Sequence, residues 1–574
     1  MFPRVEMVLK AAAFLVAFQA AAFAAEPPVV LREAGLEQSE VLLPDGEVIA
    51  VYATPDYRSV GVVRSSDDGA TWPESPVTGA RWAGQTFLDQ DGEIQAFFIR
   101  YRKEGPGGPN VGHFRDIFHA RTLDGRSKWS TPQVIHHGWQ GAMLGTAVQT
   151  QSGRLVFPMQ EWLPNVPKGP PTGNHYTSVL YSDDKGATWT KSPARLVAPV
   201  KEGYNGNNYG AIEAVIVPLK DGRLWMLMRS QMGRLYESFS DDGMSWTEAT
   251  ASTFHASTGP PYIMRLPDER LVLFWNNAEM PPRADGQIVY GGRDALHGAI
   301  SADDGKTWSG FREVYLDPYR HETPPKKGDR GTAYPHASLT ADGQAIKLRA
   351  GQGEGRRVVI RVDPDWLTEK TRASDFEQGL GDWTAFKSFG PAERAWRDRV
   401  QGARVVDDPA GDEGRVLHLA KRDEKPADGA LWNFPAGMSG DLNLRVKFPK
   451  GFHGAFIRLT DRFFDPTDEQ VNDGANFALF VDPLGVLRDP TGLPPEMAGE
   501  IGEPTVPLGK WVDLELKWDA ASKTCKVYVD GKLETTLEMA HAPLHGVSYV
   551  HLCSASKTTD GPGFFVDSAR AEVK

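Results

Sequence analysis

The octapeptide Ser65-Ser66-Asp67-Asp68-Gly69-Ala70-Thr71-Trp72 returns as Ser182 to Trp189, with Asp184 and Gly186, and as Ser301 to Trp308, with Asp303 and Gly305. A fourth copy, Phe239 to Trp246, keeps Asp241, Gly243, Ser245 and Trp246 without the leading Ser. A fifth, Thr122-Leu123-Asp124-Gly125 leading to Trp129, is degenerate. The marker residues Asp67, Asp124, Asp184, Asp241 and Asp303 recur at a period of about 60 residues, the length of one four-stranded propeller blade with generous loops. Asp and Ser side chains suit bonds to backbone amides inside a tight turn, Gly suits positive φ, and Trp suits the gap between sheets.

A second series runs in phase with the first: Asp45-Gly46, Asp91-Gly92, Ser152-Gly153, Asp221-Gly222, Asp268-Glu269 and Asp342-Gly343. Most of these pairs precede an apolar run such as Val48-Ile49-Ala50-Val51, Leu224-Trp225-Met226-Leu227 or Leu271-Val272-Leu273-Phe274, the pattern of a hairpin. Six turns imply six blades. The pattern stops after Val358-Val359-Ile360-Arg361-Val362-Asp363-Pro364. Beyond it come Leu442 to Val446, Phe477 to Val481, and Trp511-Val512-Asp513-Leu514-Glu515-Leu516-Lys517-Trp518 followed by a hairpin at Asp530-Gly531. The expectation is an all-β chain: a six-bladed β-propeller over 29–367, then a β-sandwich of jelly-roll type over 374–574.

Composition agrees, with 59 Gly, 42 Pro and 16 Trp among 574 residues, 10% aromatic and 40% hydrophobic. That excludes disorder, and the Gly and Pro follow no collagen period. The net charge of −12 and the lack of a Lys/Arg run argue against nucleic-acid binding, which needs a basic face. A few buried Arg can still make a local positive pocket. The first 25 residues read as a signal peptide: Arg4 and Lys10, an apolar run from Ala11 to Ala21, then Ala22-Phe23-Ala24 as a small-x-small cleavage site. The run is short for a membrane span, which takes about 20 residues. The product is therefore expected to be exported, to the periplasm or the extracellular space. Cys525 and Cys553 are compatible with one bridge or with two free thiols.

The boxes and their phase with the six turns resemble the sialidase (neuraminidase, BNR-repeat) superfamily, and the C-terminal run resembles the laminin-G/concanavalin-like modules of secreted carbohydrate enzymes. The first resemblance implies a retaining glycosidase in which a Tyr attacks an anomeric carbon that already bears a carboxylate. A Glu acts as its base, an Asp as acid/base, and three Arg hold the carboxylate. Carried onto this sequence, Glu213 in Tyr209-Gly210-Ala211-Ile212-Glu213 opens the innermost strand of blade four, and Arg229 ends the next strand. Arg293 stands eight residues before Ser301, and Tyr334 opens the first strand of blade six. Asp56 is the carboxylate placed for the acid/base.

The departure is in blade one. Gly35-Leu36-Glu37-Gln38-Ser39-Glu40 stands where the family has its first Arg, and Arg32 lies too early and lacks the motif. Arg58 or Arg100 is then the substitute cation. Each residue also has a plain structural reading: an ion pair for Glu213 and Arg229, a surface loop for Arg293, blade packing for Tyr334, a turn for Asp56.

Two further readings stay open. One is a polysaccharide lyase acting on uronates, with Arg229 and Arg293 neutralising a carboxylate and Tyr334 with His336, or His175 with Tyr176, moving the proton. The other is a non-catalytic glycan-binding propeller that stacks sugars on Trp139, Trp162, Tyr176 or Trp275. In all three the partner is a glycan or polysaccharide. His113, His119, His136, His137 and His297 lack metal-ligand spacing, and no cofactor motif is present, so no metal or cofactor is expected; Asp-rich loops leave structural calcium open. Oligomeric state is not legible.

Overall fold

The computed structural model describes residues 25–34, 39–73, 77–102, 114–139, 146–162, 175–199, 210–278, 292–323, 330–352, 357–393, 396–411, 414–490 and 503–574. The signal-peptide segment 1–24, His113 and the 35–38 stretch lie outside the described residues.

Six four-stranded antiparallel sheets follow one another along the chain, and each is a blade. Their inner strands are Glu40–Leu42, Gln85–Leu88, Val148–Gln149, Ile212–Pro218, Tyr262–Arg265 and His336–Leu339. The inner strand of blade one touches those of blades two and six, so the row of sheets closes into a ring. The outermost strand of blade six is Val29–Glu33 from the start of the propeller, paired antiparallel with Val358–Val362. The sequence pattern gave no sign of that strand, because an outer strand needs neither box nor turn.

The two turn series do what their chemistry suggests. In the first box the Ser65 hydroxyl accepts from Gly69 N at 2.8 Å, and Asp67 accepts from Thr71 N at 2.9 Å and from the Thr71 hydroxyl at 2.6 Å. The fourth box differs from the expected register. Ser240 and Asp242, not Asp241, make the bonds, with Gly243 N on Ser240 Oγ at 2.8 Å and Ser245 N on Asp242 Oδ1 at 2.7 Å. One residue has been lost between Ser and Gly, and the Ser anchor holds while the marker Asp shifts. In the other series, Asp268-Glu269 carries φ 72° on Glu269, a conformation that Gly supplies at the remaining five turns. Box tryptophans wedge neighbouring blades together: Trp308 of blade five packs on Trp225 and Phe254 of blade four. Phe97 of blade two stacks on Phe157 of blade three with centroids 4.4 Å apart, each buried ring contributing about 2 kcal/mol.

The rest of the chain forms two sheets packed face to face over one apolar core that includes Trp383, Trp432, Leu444, Leu479, Leu514 and Val550. Alternation is plain in Trp511–Asp519, whose even-numbered side chains are buried. Cys525 and Cys553 lie on strands of different sheets and are free thiols. A separate hairpin, Phe386–Glu393 with Trp396–Gln401, reaches back to the propeller.

The two units share a polar, buried seam. Tyr549 donates to Glu313 Oε1 at 2.8 Å and meets His297 Nε2 on its other side. Asn433 Oδ1 accepts from Glu313 N at 2.9 Å, and Asn277 Nδ2 donates to the Asp461 carbonyl at 3.0 Å. Among the described residues no helix is long and apolar enough to cross a membrane.

Burial pushes the Glu313 carboxyl from 4.5 up to about 7, and does the same to Asp465 from 3.8 to about 7. Between their unfolded values and about pH 7 the folded chain keeps protons that the unfolded chain has released. Their contribution to stability is therefore full at the acid end of that window and is lost as pH rises through it. Glu313→Gln, which retains the acceptor for Tyr549, should make the melting temperature less sensitive to pH between about 5 and 7 than in the parent. Thermal unfolding at stepped pH measures this, and an unchanged slope refutes it.

Candidate active site

Each inner strand begins, and each second strand ends, at the same end of the ring, so residues at those termini converge on its mouth. In blade four, Ile212 pairs with Arg229 and Val215 with Leu227, which leaves Glu213 and Ala214 as a bulge opposite Met228. The bulge sets Glu213 at φ 51°, outside the range a Glu ordinarily adopts, and re-aims its side chain. Gln160 of blade three takes the Glu213 amide at 2.7 Å, so the displaced backbone is satisfied. Arg229 Nη1 then meets Glu213 Oε2 at 2.7 Å, with both side chains at least nine-tenths buried. The same nitrogen lies 3.5 Å from the Tyr334 hydroxyl.

Tyr334 comes from blade six, two residues ahead of His336–Leu339 rather than within it, at φ 62°. Its lead-in is fixed by Thr332, whose N and hydroxyl both bond the Arg293 carbonyl, at 2.7 and 3.0 Å, and by Gly351 N on the Ala333 carbonyl at 3.1 Å. The Arg293 guanidinium stands 5.7 Å from the centre of the Tyr334 ring and donates to Gln352 Oε1 at 3.0 Å and to the Thr258 carbonyl. Arg293 is fully buried, so it backs the phenol instead of facing open solvent. A phenol, a carboxylate and two guanidinium groups from blades four, five and six thus occupy one corner of the mouth. Positive φ at two bulky residues costs about 1–3 kcal/mol each and persists because the neighbours over-determine it.

Asp56 and Arg58 stand apart from this corner. They sit on the exposed tip between the second and third strands of blade one, at the mouth end, and among the described residues their side-chain polar contacts stay within the turn. Thr54 Oγ1 donates to Asp56 Oδ1 at 2.6 Å, Arg58 N to the same oxygen at 3.2 Å, and the Arg58 side chain is 3.7 Å from Asp56 Oδ2. The Thr54 hydroxyl and the Arg58 amide hold the Asp56 carboxyl below its usual value, so in this position it is an acceptor. Arg100 is held by the fully buried Asp116, which also accepts from His137 at 2.7 Å. Arg32 bonds the Gly69 carbonyl at the far end of the ring.

The residues of the alternative readings are spoken for. Tyr176 is bonded to Glu161 and Lys191 at the top of blade three, with Arg195 stacked on its ring at 4.6 Å, away from the two clamp arginines. His336 packs on Tyr262, and burial takes its imidazole down to about 4. Trp275 is fully buried against Phe254 and Phe311. The Trp139 and Trp162 side chains lie outside the described residues. Among the described residues no group of three or more His, Cys, Asp or Glu is placed to hold a metal.

The sequence reading missed Gln160, Gln352, Gly331 and Arg349. Gln160 and Gln352 stand near the mouth ends of second strands, the position of Arg229 on other blades, and that shared position was the available signal. Arg349 pairs directly with His336, which puts a further cation at the end of blade six that faces blade one.

Set beside known families, residues 75–346 match the BNR repeat-like domain. That match spans most of the ring, so residues 75–346 are BNR repeat-like. Solved structures that the chain resembles include Trypanosoma rangeli sialidase in complex with sialic acid, at 14% identity over 93% of this chain and 90% of that one, TM-score 0.36. Another is a protein of unknown function from Dyadobacter fermentans, at 18% identity over 59% of this chain and 97% of that one, TM-score 0.40. No curated protein matches the sequence. At that distance the roles of residues in this ring have to be argued from its own geometry.

Gly331 tests that geometry. At φ 117°, a Cβ there would lie 2.5 Å from the Arg293 carbonyl oxygen and 2.8 Å from its Cβ. Gly331→Ala should therefore destabilise the chain by about 1–3 kcal/mol, seen as a lowered melting temperature. Unchanged stability would show that the Arg293 crossing is not tight.

Proposed function

We propose that the protein is an exported glycosidase of sialidase type that releases a terminal carboxylated sugar from a glycan, with Tyr334 as nucleophile and retention of configuration. The observation that carries this reading is the sharing of one Arg229 nitrogen between the Glu213 carboxylate and the Tyr334 hydroxyl. An anionic nucleophile would be repelled by a carboxylate on the reacting carbon, whereas a phenol approaches neutral and loses its proton as it attacks. Glu213 is the base that receives that proton. Arg229 lies where negative charge gathers on the phenol oxygen, and Arg293 supports the ring from behind.

In the first step the Tyr334 oxygen bonds to the anomeric carbon, the glycosidic bond breaks, and an acid delivers a proton to the leaving oxygen. In the second, water displaces the phenol and gives a proton to the carboxylate that the acid has become, while the phenol recovers its own proton from Glu213. Asp56 is the acid/base in this reading. It has to leave Thr54 and lean over the mouth, and the loss of the Thr54 bond together with desolvation by the sugar raises its affinity for a proton. The substrate carboxylate is taken by Arg229 with Arg293, whose guanidinium has to turn from Gln352 and the Thr258 carbonyl to reach it, and Arg58 on the same tip as Asp56 is the further contact. Elimination from a uronate is less well supported, since Tyr176 is engaged elsewhere and His336 is buried beside Tyr262.

Purified protein offered a panel of sialyl conjugates and a panel of uronic-acid polysaccharides decides between the readings. Free sialic acid or a related acidic sugar is the expected product. Absorbance from an unsaturated uronate would point to a lyase, and binding without product to a lectin-like role. Tyr334→Phe should lower kcat at least about a thousandfold while leaving substrate binding measurable, and Asp56→Asn should cost about a hundredfold or more. Undiminished turnover in the first variant removes Tyr334 from the nucleophile's role.

A further inference from the structure

We propose that Arg399, on the C-terminal unit, is a positioning residue for the propeller's mouth: through its ion pair with Asp294 it sets the Arg293 guanidinium against Tyr334. The kinetic part of this inference rests on the function proposed above.

Arg399 belongs to the hairpin that reaches from the second unit to blade five. Its guanidinium makes a two-pronged contact with Asp294, Nη1 to Oδ1 at 2.7 Å and Nη2 to Oδ2 at 2.9 Å. Nη1 also donates to the Arg320 carbonyl at 2.9 Å, and the guanidinium plane lies 3.8 Å from the centre of the Phe386 ring. Both side chains of the pair are buried, at 2% and 0% exposure. A forked, stacked and buried guanidinium fixes its partner in position as well as in charge.

Asp294 is the residue after Arg293. One stretch of backbone, bent at Asp294 just before the strand Ala295–Ser301, carries Asp294 to the second unit and Arg293 to the Tyr334 ring. That backbone has two further ties. Asp317 N bonds the Asp294 carbonyl at 2.8 Å, and Thr332 N bonds the Arg293 carbonyl at 2.7 Å, two residues before Tyr334. The segment is therefore held from blade five's own outer edge, from the lead-in to Tyr334, and from the second unit. The third tie is the only one of these that comes from beyond the ring, and its loss frees the side of the segment opposite the mouth. Displacement of about 1 Å at a group that orients a substrate is enough to cost up to about a hundredfold in rate.

Removing Arg399 alone strands the Asp294 carboxylate beside the buried Asp465, and such a variant can fail to fold. The test therefore uses the full-length chain in two forms: Arg399→Lys, which keeps the charge without the fork, and Arg399→Met together with Asp294→Asn, which removes both charges. The measurements are the melting temperature, kcat and KM on the acidic glycoside that the parent cleaves, and crystal structures of parent and double variant. The expected result is a folded double variant whose Arg293 guanidinium has left the Tyr334 ring. KM should rise about tenfold or more, with Arg399→Lys intermediate.

A purely structural role would instead lower kcat in proportion to folded enzyme at unchanged KM. That outcome, with Arg293 in its parental place, overturns the proposal. If the parent cleaves no acidic glycoside, the crystal structures alone decide. An Arg293 that moves upholds the coupling and leaves only the proposed function refuted, and an Arg293 that stays refutes the coupling as well.

Discussion

A ring of six sheets has no hydrophobic layer covering its open faces, so its stability depends on every blade packing against the next without a gap. The closing contact is made between chain segments more than three hundred residues apart, where Val29–Glu33 pairs with Val358–Val362 and completes the last blade. With the circle shut, six inner strands are forced towards one axis, and their starting residues meet at one mouth. The convergence of Glu213, Arg229, Arg293 and Tyr334 is a consequence of that closure. Glu213 and Arg229 share one hairpin, Arg293 and Tyr334 come from other blades, and each reaches the corner because it stands at the terminus of a strand or just outside one.

The mouth also shows where strain is concentrated. Glu213 and Tyr334 both adopt backbone angles that suit Gly, and both are locked from neighbouring blades, Glu213 by Gln160 and Tyr334 by the bonds at Thr332 and Ala333. A bulge and a pre-strand kink move the two side chains out of the ordinary alternation that would have sent them into the packing between blades. Local strain, held in place by the ring, is what brings a carboxylate and a phenol onto the same guanidinium nitrogen.

Most of the architecture was legible because turns have strict chemistry. The box turns and the Asp-Gly turns demand particular side chains and positive φ, so they leave a periodic trace: the period gave the blade length and the six hairpin turns the blade number. The slip in the fourth box, where Asp242 replaces Asp241, shows the limit of counting positions: the Ser–Gly bond defines the turn, and one deleted residue is absorbed by the neighbouring Asp. The outer strand Val29–Glu33 left no trace because its pairing partner is distant. In the site, Glu213, Arg229 and Tyr334 could be placed by strand-end position, whereas the turn contacts of Asp56 and Arg58, the burial of Arg293 and the support from Gln160 and Gln352 depend on which side chains meet across blades. The seam between the two units was illegible for the same reason, since His297, Glu313, Asn433 and Tyr549 are ordinary residues until the fold apposes them.

The buried pair of Asp294 and Arg399 bears on how the chain is made. Domains generally fold as units, the N-terminal one first during synthesis. Here the propeller leaves the ribosome with Asp294 lacking its cation until a further hundred or so residues have been added, and with Glu313 lacking its tyrosine for longer still. A nascent ring released early would expose both carboxylates on the flank of blade five, with Arg320 as the propeller's own cation beside them. The second unit thus acts as a keystone added last, closing over a polar seam that the ring alone would leave open to water.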